Sequence, residues 1–172
     1  RKMLRISFFI IAPTMLGMGA LATPLFQLVL GEEWMEAVPY FQILCLSAIF
    51  YPVQAFNVNI LKVCGRSDLF LKTVMIKKII LSITVIVAIN FGIMALLWST
   101  LVANVLSLFV NTYFNKKLIN YPVNRQLSDL FSTTVVTGLM GFVVLSFVNW
   151  QVGSNTIYLL IVGSVIGLVS YV

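Results

Sequence analysis

Residues 79–115 read IILSITVIVAINFGIMALLWSTLVANVLSLFVNTYFN, a run of 37 positions without a charge, bracketed by Lys77-Lys78 and by Lys116-Lys117. As one helix it would reach about 55 Å at 1.5 Å per residue, nearly twice the hydrocarbon core of roughly 30 Å that a spanning helix must cross. Two passes account for the length, and Asn90-Phe91-Gly92 supplies the turn between them. The run then leaves one side of a bilayer and returns to it, with both lysine pairs on that side.

The other charges follow the same rule. All eleven Lys and Arg residues fall into three clusters: Arg1, Lys2 and Arg5; then Lys62, Arg66, Lys72, Lys77 and Lys78; then Lys116, Lys117 and Arg125. The connections between clusters carry neither residue type, and the first holds Glu32, Glu33 and Glu36. Excess Lys and Arg in short loops marks the cytoplasmic face, while acidic residues weigh little. All three clusters are therefore expected in the cytoplasm, with Glu33 and Gln151 on the outer side.

Composition agrees with this reading. Of 172 residues, 60% are hydrophobic and 9% charged, with mean hydropathy +1.05, whereas about a quarter of a soluble domain is charged. The expected fold class is all-α, a polytopic membrane helix bundle of about six transmembrane helices. The spans are placed at about 6–30, 38–63, 69–90, 93–114, 127–148 and 156–172, with kinks at Pro13, Pro24 and Pro52. A polar loop is expected over 115–128 and an outer turn over 149–155. Gly65 reads as a helix C-cap, and Asp68 and Asp129 as N-caps. The chain starts at Arg1 and stops at Val172 inside an apolar segment, so a fragment of a longer protein is expected. The first apolar run is too long for a cleavable signal peptide.

Several function classes drop out. The net charge of +6 and the pI near 9.6 are topogenic and face anionic lipid, so no nucleic-acid partner is expected. His is absent, Cys45 sits inside an apolar span and Cys64 beside a basic loop; no disulfide, metal or cofactor is expected. Nothing resembles a nucleotide-binding glycine loop or a catalytic triad, and the chain does not read as an enzyme.

The candidate functional residues lie on three spans. Ile79 to Asn90 alone would cover about 18 Å, too little to cross a core near 30 Å. The third span must therefore include Lys77 and Lys78, where ionisable groups face a cavity or a partner or snorkel to the headgroups. Adjacent lysines point about 100° apart, so at most one of the two is expected at any given cavity. Thr100, Asn104, Ser107, Asn111 and Asn115 recur at helical spacing on the fourth span, and this stripe should turn from lipid toward protein or water. Leu101, Val105, Leu108 and Thr112 are expected to be more accessible. On the second span Gln54, Asn57 and Asn59 follow Pro52. Small-residue pairs at Thr134/Gly138, Thr137/Gly141 and Gly163/Gly167 suit close helix packing within the chain.

Pro24-Leu25, Leu30-Gly31-Glu32-Glu33-Trp34, Ala37-Val38-Pro39-Tyr40-Phe41-Gln42-Ile43-Leu44-Cys45-Leu46, Leu61-Lys62 and Gly65-Arg66-Ser67-Asp68 together resemble the later helices of polysaccharide biosynthesis membrane proteins. These are the lipid-linked oligosaccharide flippases (Wzx-like) of the multidrug/oligosaccharidyl-lipid/polysaccharide exporter superfamily. The resemblance covers roughly the first 125 residues, and the last two spans would be the extra C-terminal pair of fourteen-helix members. It implies a two-lobed bundle in the bacterial inner membrane that moves an undecaprenyl-pyrophosphate-linked oligosaccharide outward for O-antigen, capsule or exopolysaccharide assembly. The implied partners are membrane lipid, the lipid-linked oligosaccharide and the remaining N-terminal helices of the same protein. Lys77, Lys78 and Arg66 would meet the pyrophosphate, and Gln54, Asn57, Thr100, Asn104, Ser107 and Asn111 would line a polar cavity. A drug or cation exporter of the same superfamily would instead need carboxylates in its spans, and an integral-membrane subunit of a glycan-modifying enzyme would need acidic or His catalytic groups.

Overall fold

The computed structural model describes residues 2–119, 123–150 and 156–171. Arg1, Gln151 and the rest of the expected outer turn over 151–155 lie outside the described residues. Every element among the described residues is helical: α1 (Lys2–Ala20), α2 (Ala22–Val29), α3 (Val38–Ala48), α4 (Tyr51–Val63), α5 (Ser67–Ala88), α6 (Ile93–Ile119), α7 (Val123–Trp150) and α8 (Thr156–Tyr171), with short 3-10 turns at Glu32–Ala37 and Ile89–Phe91. Five segments, Lys2–Ala20, Glu32–Val63, Ser67–Phe91, Ile93–Asn115 and Asn124–Val148, are long and apolar enough to cross a membrane. With 16 residues α8 is shorter, about 24 Å of helix at 1.5 Å per residue.

Proline sets the two breaks inside the expected first and second spans. A proline lacks the N–H that would bond the carbonyl four residues back, and its ring crowds that carbonyl. Pro24 frees Ala20, where α1 ends, and Pro52 frees Ala48, where α3 ends. Pro13, by contrast, sits inside a continuous α1.

Glycine sets the turns at two places. After α4, Gly65 adopts φ 66° and passes its N–H to Lys62 O at 3.0 Å, while Arg66 N–H reaches Leu61 O at 3.1 Å. These paired bonds form a Schellman C-cap, which satisfies carbonyls the helix end would orphan. Gly92, at φ 88°, opens α6 directly after the 3-10 turn at Ile89–Phe91.

Two expectations about helix ends need correction. Asp68 is not an N-cap: that position falls on Arg66, and the Asp68 carboxylate accepts from Arg66 Nε at 3.0 Å and Nη2 at 2.9 Å. Asp129 lies well inside α7 and pairs with Arg5. The polar stretch 115–128 is also mostly helical, since α6 runs on to Ile119 and α7 starts at Val123. Charged and amide side chains end an apolar window, yet they do little to stop helical backbone bonding.

The chain forms two compact units. The first comprises Arg1–Phe8 and Phe50–Phe131. In it α5 and α4 both pack on α6, and Leu4, Leu61 and Ala103 are buried. The second comprises Phe9–Ile49 and Ser132–Val172. Ala22, Phe26 and Val38 form one apolar cluster there and Ala20, Leu21 and Val144 another. A Cβ on Gly141 would strike the Leu16 side chain, one on Gly163 would lie 2.7 Å from Leu21 Cδ2, and one on Gly167 would touch Val144 Cγ2 at 3.5 Å. These small residues serve packing inside the unit, whereas Gly138 faces open space. Tyr171 donates its hydroxyl to Phe9 O at 2.7 Å.

Candidate functional site

The first unit carries a cavity of about 230 Å³ lined by Gln54 of α4, by Val74, Lys77, Lys78 and Leu81 of α5, and by Ala103, Asn104 and Ser107 of α6. Its α5 wall follows from helical spacing. Positions 74, 77, 78 and 81 recur at i, i+3, i+4 and i+7, one face of the helix. Lys77 and Lys78 are 100° apart but flank the centre line of that face at about 50° each. Both therefore reach the cavity, where at most one had been expected. Lys77 is half-buried and Lys78 exposed. Lys77 stands ten residues after Ser67, about 15 Å into α5 at 1.5 Å per residue.

The α6 wall is part of the polar stripe. Gln54 Nε2 donates to Asn104 Oδ1 at 3.1 Å and to Asn104 O at 3.3 Å, which ties α4 across to α6 at the cavity. Ser107 is buried at 4% exposure. Among the described residues no carboxylate lines this cavity, and the charges there are the two lysines.

The remaining residues singled out from sequence lie elsewhere. Thr100 turns its hydroxyl back to Leu97 O at 2.7 Å, a local bond that leaves it off the cavity wall. Arg66 is exposed and engaged with Asp68. Asn57 forms the centre of a buried amide network: its Nδ2 donates to Gln126 Oε1 at 3.1 Å, Gln126 Nε2 returns a bond to Asn57 Oδ1 at 3.1 Å, and Asn115 Nδ2 donates to Asn57 Oδ1 at 2.8 Å. Sequence reading missed Gln126, which sits in a polar stretch that read as loop. The partner lies 69 positions from Asn57, beyond the reach of any local pattern.

The outward face of α6 also differs from expectation. Thr112 is 3% exposed, whereas Trp98, Val102, Leu106, Phe109 and Tyr113 are exposed. Positions two removed from Asn104 turn by 200° and point away, while Leu101 and Leu108 turn by only about 60° and 40° and stay beside it.

The second unit holds a larger cavity of about 520 Å³, lined by residues such as Phe9, Pro13, Met140 and Leu160, with no charged side chain among the described residues. With no cation among its described lining residues, it leaves the lysine cavity as the candidate site for an anionic group. Among the described residues no cluster of His, Cys, Asp or Glu could hold a metal. Comparison with family models, with curated proteins and with solved structures finds no match for the chain.

Proposed function

We propose that this chain is part of a membrane transporter that moves a lipid-linked saccharide, and that Lys77 and Lys78 receive its anionic headgroup. The observation that carries the reading is the convergence of both lysines with Gln54, Asn104 and Ser107 on one cavity. Ammonium groups placed well inside an apolar helix are costly unless they serve a cavity or partner, and Lys is a point-charge match for phosphate oxygens. The neighbouring amides and hydroxyl offer hydrogen bonds to sugar hydroxyls or to phosphate.

Size sharpens the proposal. At about 230 Å³ the cavity is below the roughly 300–1,000 Å³ of sites that enclose a drug-sized ligand. It fits a phosphate anchor better than a whole oligosaccharide, so the glycan chain extends beyond it. The absence of a carboxylate among the lining residues disfavours export of a cationic drug. Five segments capable of crossing a membrane support placement in a bilayer, and the sequence resemblance points to the bacterial inner membrane.

The test is glycan export by the full protein carrying Lys77→Gln, Lys78→Gln or both. A charge-assisted hydrogen bond contributes about 1.5–3 kcal/mol, so each loss should weaken headgroup binding about 10- to 100-fold. Lys72→Gln, on the same helix but exposed and off the cavity, should change little. Normal export by the double variant at normal membrane abundance would overturn the proposal.

A further inference from the structure

Asn111 lies one turn beyond Ser107 on the same face of α6 and is 1% exposed. Neither its Oδ1 nor its Nδ2 meets a hydrogen-bonding group among the described residues. One turn further on, Asn115 is fully buried and spends its Nδ2 on Asn57, while its own Oδ1 is likewise unmet. Two other buried hydroxyls of this unit are committed to their own helices, Thr112 to Leu108 O and Thr73 of α5 to Leu69 O, both at 2.7 Å.

Three buried polar atoms, two acceptors and one donor, thus collect on adjacent turns of one helix face. A buried amide without a partner forfeits its hydration, and native proteins seldom leave one so. The mixture of atoms selects the ligand. A hard cation takes several oxygens, whereas the site presents two, and the Asn111 Nδ2 hydrogens would repel it. Water donates to acceptors and accepts from a donor, and a buried water typically makes about three such bonds.

We propose that Asn111 and Asn115 bind buried water as a fixed component of the first unit. This hydration site continues the polar wall of the lysine cavity from Ser107 to the Asn57–Gln126 amide pair. Asn111 is then a positioning residue that keeps this face of α6 polar and fixed one turn past the cavity wall. The inference stands on burial and hydrogen-bonding geometry and is independent of what the cavity transports.

The experiment is a structure of the full protein at a resolution that shows ordered water, determined in sodium and again with choline replacing sodium, together with the Asn111→Leu variant. The expected result is density at hydrogen-bonding distance, about 2.7–3.2 Å, from the Asn111 amide and Asn115 Oδ1. It should be unchanged by the cation exchange and lost or rearranged in the variant. Density that leaves with sodium, no density at that position, or an Asn111 amide bonded directly to another side chain would each overturn the proposal. The wild-type pair of structures decides the matter even where the variant does not fold. Thermal midpoints of the wild-type protein in sodium and in choline should coincide; a rise specific to sodium would again overturn it.

Discussion

Replacing Asn57 by Leu tests the amide network most directly. Three side-chain bonds end on Asn57, two exchanged with Gln126 and one received from Asn115, and the three residues are 0%, 3% and 0% exposed. Interhelical hydrogen bonds in membrane proteins average about 0.6 kcal/mol, so the bonds themselves account for about 2 kcal/mol. Removing the Asn57 acceptor from the buried Asn115 amide adds about 1–3 kcal/mol. The loss should total about 3–5 kcal/mol, at the upper range for single substitutions and with a named cause. The assay is unfolding of the full protein in detergent, run as a cycle with Gln126→Leu. Since the two residues are direct partners, the double variant should lose less than the sum of the singles, by about 0.5–3 kcal/mol. Additivity within about 0.5 kcal/mol, or an Asn57→Leu midpoint equal to that of an exposed control such as Tyr51→Leu, would refute the reasoning.

Other consequences can be measured separately. Gly141→Ala places a Cβ against Leu16, with Cγ only 2.9 Å away, and should cost about 1–3 kcal/mol; Gly138→Ala, which meets nothing within 4 Å, should be neutral or stabilise by up to about 1 kcal/mol, as thermal denaturation will show. Arg5→Asp should lower protein abundance, and Asp129→Arg in the same chain should restore part of it, because Arg5 pairs with Asp129; absence of rescue in a quantitative immunoblot would reduce the pair to a surface contact. Cysteines placed at Arg66 and Phe91, in a background lacking Cys45 and Cys64, should label from opposite sides of the membrane, since α5 lies between them. Labelling from the same side would remove the assigned pass.

What sequence alone determined are features set within a few residues of chain. Apolar length marks the long helices, Pro24 and Pro52 release the carbonyls of Ala20 and Ala48, and Gly65 can take the positive φ a Schellman turn demands. The five-residue polar stripe on α6 is equally local, because a 3.6-residue period decides which side chains share a face. Asp129 shows where local reasoning stops, since its carboxylate matches an N-cap in isolation and only the approach of Arg5 reveals an ion pair. Tertiary structure decided which of the stripe's residues line a cavity, that Lys77 and Lys78 both reach it, and that Asn57 closes a network with Gln126 and Asn115. The pairings of that network span 58 and 69 positions, and a side chain's periodicity says which way it points on its own helix, never which helix it will meet there.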